Sequence, residues 1–423
     1  MTSILLVAYF VILVAGYLLR ALNLSHLKKY GAEVPSGFEG AVDGALLART
    51  SAYTLEQSRV GLIQSVVHNL LLVVFLFGGL LGAYDQWIGS LGRSFLVSGI
   101  LFFLGLSLAE MILDLPFSLY TTFGIENRYG FNTTTARLWL ADLAKSTVIG
   151  LILLVMLSAG ALAIVQVSPR WWWLWVWCLF AVVTLFLMYI SPTLIEPLFN
   201  KYEPLKDEGL EREIRNLMAK CGLSVSKVLQ VDASRRSRHS NAYFTGIGRV
   251  KRIVLYDTLL EQMNDPEILA VLAHEVGHWK KGHIWKRLFF MEALALVMLY
   301  AAFRLIGWGG LPGLLGLTQA SFAVQAVIVA FLWSLLSFPF TPLNSWLSRK
   351  HEWQADDFAC DLTGTPGALA DALVKLSSGN LSNLHPHPLY ARFYYSHPPV
   401  VERVRKLREV QSIPELRSVK GKH

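Results

Sequence analysis

VLAHEVGHWKKGH, residues 271–283, carries two histidines four positions apart, His274 and His278, with Glu275 beside the first. On a helix that spacing projects both imidazoles from one face about one turn apart, so two rings can grip one metal ion while the glutamate reaches an attacking water. The preceding residues signpost the helix. Asp265 is a candidate N-cap, Pro266 suits the first helical position, Glu267 suits the positive end of the helix dipole, and Ile268, Leu269 and Leu272 supply an apolar face.

Two histidines leave a metal short of ligands. His283, at about 100° per residue, lies about 140° round from His278 and about 180° from His274, so it faces away from the metal and is not the ligand. A third histidine six residues after the second, behind a chain-reversing glycine, is also absent, because Lys281 and Ile284 occupy the required positions. The best remote candidate is SRKHEWQADDFA, residues 348–359, in which Glu352 and Asp356 lie four apart. Glu352 would complete a site of two histidines and one glutamate with an open position, and Asp356 could accept the free ring N–H of a ligating histidine. The competing reading of that stretch is a solvated charged face.

With these segments in view the chain resembles the type I CAAX prenyl proteases, a family of integral-membrane zinc metalloproteases. The resemblance rests on HEVGHW, SRKHEWQAD and YYSHPP, on SNAYFTG and KRIVLYDTLL between positions 240 and 260, and on LPFSLYTTFGIENRYGFN at 115–132 and SPTLIEPLFNKYEPL at 191–205. It spans residues 55–405, with the motifs in the family's order. It implies a ring of membrane helices around a water-filled chamber, and isoprenylated CAAX substrates cut to remove the last three residues.

Composition agrees with a membrane protein. Of 423 residues, 54% are hydrophobic and only 16% charged, and mean hydropathy is positive, which is wrong for a soluble chain. Apolar runs of about 20 residues place spans near 3–21, 60–83, 95–117, 146–168, 172–195, 287–308 and 321–346. The first has no basic residue before it and no clear cleavage site after it, so it reads as a retained anchor. Arg20, Lys28, Lys29, Arg49 and Arg59 follow the first span, Arg128, Arg137 and Lys145 the third, and further basic residues the fifth. The expected topology is an outside or lumenal N-terminus, a cytoplasmic C-terminus and zinc segments on the cytoplasmic side. The membrane is the bacterial inner membrane or the endoplasmic reticulum, depending on the host. The net charge of +8 then meets anionic headgroups, and nothing reads as a nucleic-acid module. Cys178, Cys221 and Cys360 are scattered and outside metal-ligand spacing.

Four expected regions follow: a membrane part with five spans at 1–199, a zinc-protease segment at 200–286, two last spans at 287–347, and a C-terminal segment with the third ligand at 348–423. Residues 22–59 read as a polar connection ending in a short amphipathic helix. His68, Asn69, Glu110 and Asp114 sit among apolar residues, either lining an aqueous cavity or satisfied by neighbouring helices. In the soluble part, 205–220 reads as an amphipathic helix, and 227–231, 240–246 and 252–256 as short strands. Asn241, Ala242, Tyr243 and Phe244 are candidate substrate-binding residues on an edge strand that would pair with an extended peptide; the alternative is an ordinary sheet strand. Arg235, Arg236 and Arg238 could meet a carboxylate or lipid phosphate, or form a solvated loop. Residues 377–390 read as a flexible connector. His397, before two prolines, could donate to an oxyanion or merely mark a turn.

The expected fold is mainly α, polytopic, with about seven transmembrane helices around a chamber and a small α+β zinc-protease module. The expected activity is peptide-bond hydrolysis with one Zn2+ per chain on His274, His278 and Glu352. Glu275 is the proton acceptor, Asp356 orients a ligand or helps in proton transfer, and His397 stabilises the oxyanion. Partners are the bilayer and a peptide or protein, isoprenylated on the strength of the resemblance. The rivals are a broad-specificity quality-control protease, which would show about four spans, and a transporter or channel with a closed structural zinc site.

Overall fold

The structure is a computed structural model and describes residues 1–245 and 250–412. It has seven helices long and apolar enough to cross a membrane, and each overlaps an expected span. They run further than the apolar runs. Helix α1 (Thr2–Tyr30) and α2 (Gly44–Phe77) leave only residues 31–43 between them, so most of the expected polar connection is helical. The Asp43 side chain accepts the Leu46 N–H and caps α2, letting the amphipathic stretch and the apolar run form one rod.

After α3 (Leu80–Ser90) comes α4 (Phe95–Leu119), which passes into a wide turn at Tyr120–Glu126 just after Pro116, whose missing N–H weakens the regular ladder. Helices α5 (Ala136–Val167) and α6 (Trp172–Ile190) follow, and the chain then turns tightly through Glu196–Leu198.

The sheet-bearing part begins with β1 (Tyr202–Pro204), α7 (Glu208–Lys220) and β2 (Ser224–Val231), followed by β3 (Ala242–Thr245) and β4 (Val250–Tyr256). Strand β1 had no counterpart in the sequence reading, being three residues long and containing Pro204. Gly246, at the end of the expected third strand, lies outside the described residues. The sheet order is β1-β2-β4-β3, with β2 and β4 parallel and the outer pairs antiparallel, so β3 is an edge strand.

Next come α8 (Asp257–Gln262), α9 (Asp265–Lys280), α10 (His283–Trp308), α11 (Leu311–Leu314) and α12 (Phe322–Ser337). Helix α13 (Thr341–Thr363) continues α12 through one tight turn at Phe338–Phe340, so the expected second zinc segment is an extension of the last membrane helix. Helices α14 (Pro366–Gly379), α15 (Pro388–Tyr394) and α16 (Val400–Ser412) complete the chain.

Neighbouring helices close a ring: α1 packs on α2, α2 on α4, α4 on α5, α5 on α6, α6 on α10, α10 on α12, and α12 on α1. A solid bundle would bury a stripe along every helix. Instead α5 buries only Leu162 and α10 only His283 and Ala302. The buried apolar side chains of the ring collect at one end, where Leu76, Leu81, Phe102, Trp172, Leu311 and Val324 pack together. A ring packed at one end, with few buried side chains along the rest of α5 and α10, fits the expected chamber.

A second core lies at the other end of the chain's packing, joining the sheet, α7, α9, α14 and α16 with Phe38, Val42 and Leu47. The soluble module therefore draws on three separate segments. Its tightest crossing is α9 on α13. A Cβ built on Gly277 would lie 2.9 Å from Ala355 Cα and 3.1 Å from Ala355 O, so only glycine lets these backbones meet. Gly277→Ala should force them apart at a cost of about 1–3 kcal/mol. A lowered melting temperature together with weakened zinc retention in a metal assay is the expected result.

Candidate metal centre

Helix α9 starts one residue earlier than expected. Asn264, not Asp265, is the N-cap: its side chain accepts the Glu267 N–H at 3.1 Å, and the Glu267 carboxylate accepts the Asn264 N–H at 2.9 Å. This reciprocal box satisfies two end donors at once, leaving Asp265 as the first helical residue, where its charge still suits the dipole. The helix is pinned again by Lys375, whose Nζ lies 2.8 Å from Glu267.

The fixed helix turns His274 and His278 toward α13, where Glu352 meets them. His274 Nε2 lies 3.2 Å from His278 Nε2 and 3.4 Å from Glu352 Oε2, and His278 Nε2 lies 3.2 Å from Glu352 Oε1. Four-coordinate zinc with bonds of about 2.0–2.1 Å sets neighbouring ligand atoms about 3.3 Å apart. The two Nε2 atoms stand at that spacing with one Glu352 oxygen beside each, and one ligand atom from each of the three residues lies within 4.8 Å of the others. Glu352 is buried, and its Oε2 makes no hydrogen bond of good geometry even though His397 Nδ1 lies 2.7 Å away. A buried carboxylate whose two oxygens each lie against an imidazole Nε2, of His274 and of His278, fits a metal ion. The solvated-face reading of 348–359 fails, because Glu352 and Asp356 are 4% and 1% exposed.

The rear nitrogens are held as firmly. His274 Nδ1 lies 2.8 Å from Asp356 Oδ1, which orients the ring with Nε2 toward the ligand cluster. Asp356 is in turn gripped by Arg403, whose Nε and Nη2 donate to its two oxygens at 2.8 and 2.6 Å. Sequence reading missed Arg403. Its signal is a charge beside Val404 and Leu407 on the inward stripe of α16, with all three buried.

His283 does not face away. Helix α9 ends at Lys280, Gly282 adopts φ +68°, and His283 opens α10 with its Nδ1 3.1 Å from His278 Nδ1. The angular argument assumed a continuous helix, and the left-handed glycine breaks it. With Nε2 of His278 free for a metal, its Nδ1–H donates to His283, whose Nε2–H donates to Gln354 Oε1 at 2.8 Å. His351 stacks on His283 at 4.1 Å.

His397 is brought to the cluster, against Glu352, with its own side chain largely exposed. Glu275 is half-buried beside the ligands, and burial raises its pKa above the usual carboxylate value. Strand β3 packs against α9, placing Ala242, Tyr243 and Phe244, with Asn241 just before them, next to the helix that carries His274 and His278. The arginine group is divided: Arg236 bonds Asp142 of α5 at 2.7 and 3.1 Å and Asn200 at 3.0 Å, so it is a structural brace. The 377–390 segment is anchored, with Asn380 Oδ1 at 3.0 Å from His239 Nδ1 and the His387 N–H donating to Asn23. Of the polar residues at membrane depth, His68 lies 3.2 Å from Asp114, which also accepts from Gln64, and Asn69 joins Tyr9 and Tyr17; Glu110 is exposed.

In the metal-free chain burial opposes a charge on His274, but Asp356 and Glu352 outweigh it and raise the pKa from 6.5 to about 9. A raised pKa means the folded state binds the proton more tightly than the unfolded chain, so this contribution is complete below pH 6.5 and lost as pH rises through about 9. Chelator-stripped protein should therefore lose melting temperature across that window, and His274→Gln should flatten the loss. Because a metal ion at this cluster would compete with the same proton, metal affinity should rise over the same pH range.

Comparison with known proteins places this geometry. Residues 23–201 match the family profile described as CAAX prenyl protease N-terminal, five membrane helices, and residues 204–411 match peptidase family M48. A CAAX prenyl protease 1 homolog of Arabidopsis thaliana is 36% identical over 391 residues, 88% of this chain and 90% of the relative. CAAX prenyl protease 1 of Saccharomyces cerevisiae is 36% identical over 331 residues, 74% of this chain and 72% of the relative. The crystal structure of S. mikatae Ste24p superposes with a TM-score of 0.86 at 28% identity, covering 94% of this chain and 97% of that one. A ring of seven helices, a buried two-histidine, one-glutamate cluster and these matches over most of the chain make it a multi-pass membrane metalloprotease of peptidase family M48, within the CAAX prenyl protease 1 group.

Proposed function

We propose that the chain is a zinc endopeptidase that removes the C-terminal tripeptide from isoprenylated CAAX proteins or peptides. The observation that carries the chemistry is the cluster of His274, His278 and Glu352, with one ligand atom from each within 4.8 Å of the others. One Zn2+ bound there would polarise the scissile carbonyl and lower the pKa of a coordinated water to about 7.

The protein's own groups supply the rest. Glu275, its pKa raised by burial, is suited to take a proton from the attacking water and pass it to the leaving amine. Asp356, locked by Arg403, keeps His274 in the tautomer that presents Nε2. His397, exposed and adjacent to Glu352, is the donor for the oxyanion. Strand β3 pairs with the substrate. Tyr256 N–H donates to Asn241 O, and the alternation of an antiparallel pair then turns the backbone groups of Ala242 and Phe244 outward. The Ala242 N–H meanwhile bonds its neighbour Asn241 Oδ1 at 2.8 Å, a local partner that a substrate carbonyl can replace.

The names of the relatives support CAAX substrates, and seven spans with a hollow ring suit a lipid-bearing peptide better than the four-span quality-control reading. An open three-ligand site argues against a structural metal in a transporter. The pattern of basic residues supports a cytoplasmic C-terminus, with the site on that side. The test is cleavage by purified protein of a farnesylated CAAX peptide and its unlipidated twin, with and without chelator. Chelator-sensitive release of three residues from the farnesylated peptide alone is expected, whereas equal cleavage of both would point to broad quality control. Glu275→Gln should lower turnover by at least about 10²-fold with zinc retained; turnover at the wild-type rate would remove Glu275 from this role.

A further inference from the structure

Two segments that resemble the family, 115–132 and 191–205, lie outside the metal centre, and the structure shows what the second one holds. After α6 the chain turns tightly at Pro197, and Glu196 is carried there on the end of the fifth membrane helix. Its Oε2 accepts from Tyr243 OH at 2.6 Å and from Tyr202 OH at 2.9 Å, while the two phenols lie 3.1 Å apart. Tyr202 belongs to β1 and Tyr243 to β3, the two opposite edges of the sheet. One carboxylate from a membrane helix therefore ties both edges together.

The side of β3 that is tied matters. Ala242 and Phe244 pack toward the core that contains α9, so Tyr243, between them, points to the opposite face, where Glu196 waits. The strand is thus gripped through its rear while its outer backbone edge stays open; among the described residues no strand pairs there. Burial raises the Tyr243 pKa, with the Glu196 bond adding to it, so the hydroxyl remains a donor at every physiological pH. A charge-assisted bond of 2.6 Å is at the strong end for a phenol and a carboxylate.

We propose that Glu196 is a positioning residue for the substrate strand: acting through Tyr243 and Tyr202, it fixes the β3 edge in register with the zinc helix, so that the fifth membrane helix sets how an extended peptide is aligned. This rests on β3 being the strand that pairs with substrate. The consequence is selective. A peptide long enough to lie along β3 uses the alignment, and one that spans only the scissile bond does not.

The experiment measures kcat and KM of full-length protein in detergent on a long and a short farnesylated CAAX peptide. Glu196→Ala should raise KM for the long peptide about tenfold, the size of one strong hydrogen bond, while leaving kcat and the short peptide within about twofold and zinc content unchanged. Tyr243→Phe, which keeps the ring, should also raise KM for the long peptide, and in the double variant the losses should not multiply. Glu196→Gln, which keeps one acceptor oxygen, should recover most of the affinity. Equal losses on both peptides, or multiplying losses in the double variant, would overturn the assignment and leave Glu196 as general scaffolding. The strand reading is checked separately with a long peptide N-methylated upstream of the scissile bond. If wild-type protein cuts it as well as the unmodified peptide, β3 does not pair with substrate, whatever Glu196 does.

Discussion

The crossing of α9 and α13 at Gly277 and Ala355 is the contact on which the centre depends. Two histidines on one helix define only a line, and a third ligand must arrive from elsewhere at hydrogen-bond range. The missing Cβ of Gly277 lets the second backbone come within van der Waals distance, and Glu352, one turn before the buried Asp356, then reaches both rings. Because α13 is the continuation of α12, the last membrane helix delivers this ligand directly. Membrane architecture and metal geometry are in this sense one construction.

Around that contact the polar groups form a single connected chain. Arg403 holds Asp356, Asp356 holds His274, and on the other side Gln354 holds His283, which holds His278. Buried groups of this kind are costly unless every member is satisfied. The exception in this chain is Glu352 Oε2, which makes no hydrogen bond of good geometry although His397 Nδ1 lies 2.7 Å away. A site with its rear nitrogens occupied and its front oxygen unsatisfied is organised for a cation.

The soluble module is tied to the ring at several further points. Glu126, at the end of the third span, accepts from Tyr53 and Gln57 and lies 3.2 Å from His239, whose ring stacks on Phe131. Asp142 holds Arg236, and Glu196 holds Tyr243. All three ties reach the chain between residues 236 and 243, which leads into β3. The membrane helices therefore do more than anchor the protease: they fix the strand beside its metal centre.

Much of this was legible in the sequence for local reasons. Seven apolar runs, the His274–His278 spacing and the Glu352–Asp356 spacing are one-dimensional patterns, read from helix period and bilayer thickness, and the motifs tied them to a known family. What the sequence could not give were features set by distant backbones or by single dihedrals. Gly282 ends α9 and swings His283 behind His278, against an angular argument that assumed an unbroken helix. Asn264 takes the cap from Asp265 because only its side chain meets the Glu267 N–H. Arg403 and Glu196 were invisible as partners, since Asp356 and Tyr243, which they hold, lie 47 positions away in each case. Local spacing determined which side chains can share a metal; only tertiary packing decided what holds them, because a hydrogen bond between distant segments leaves no period in the chain.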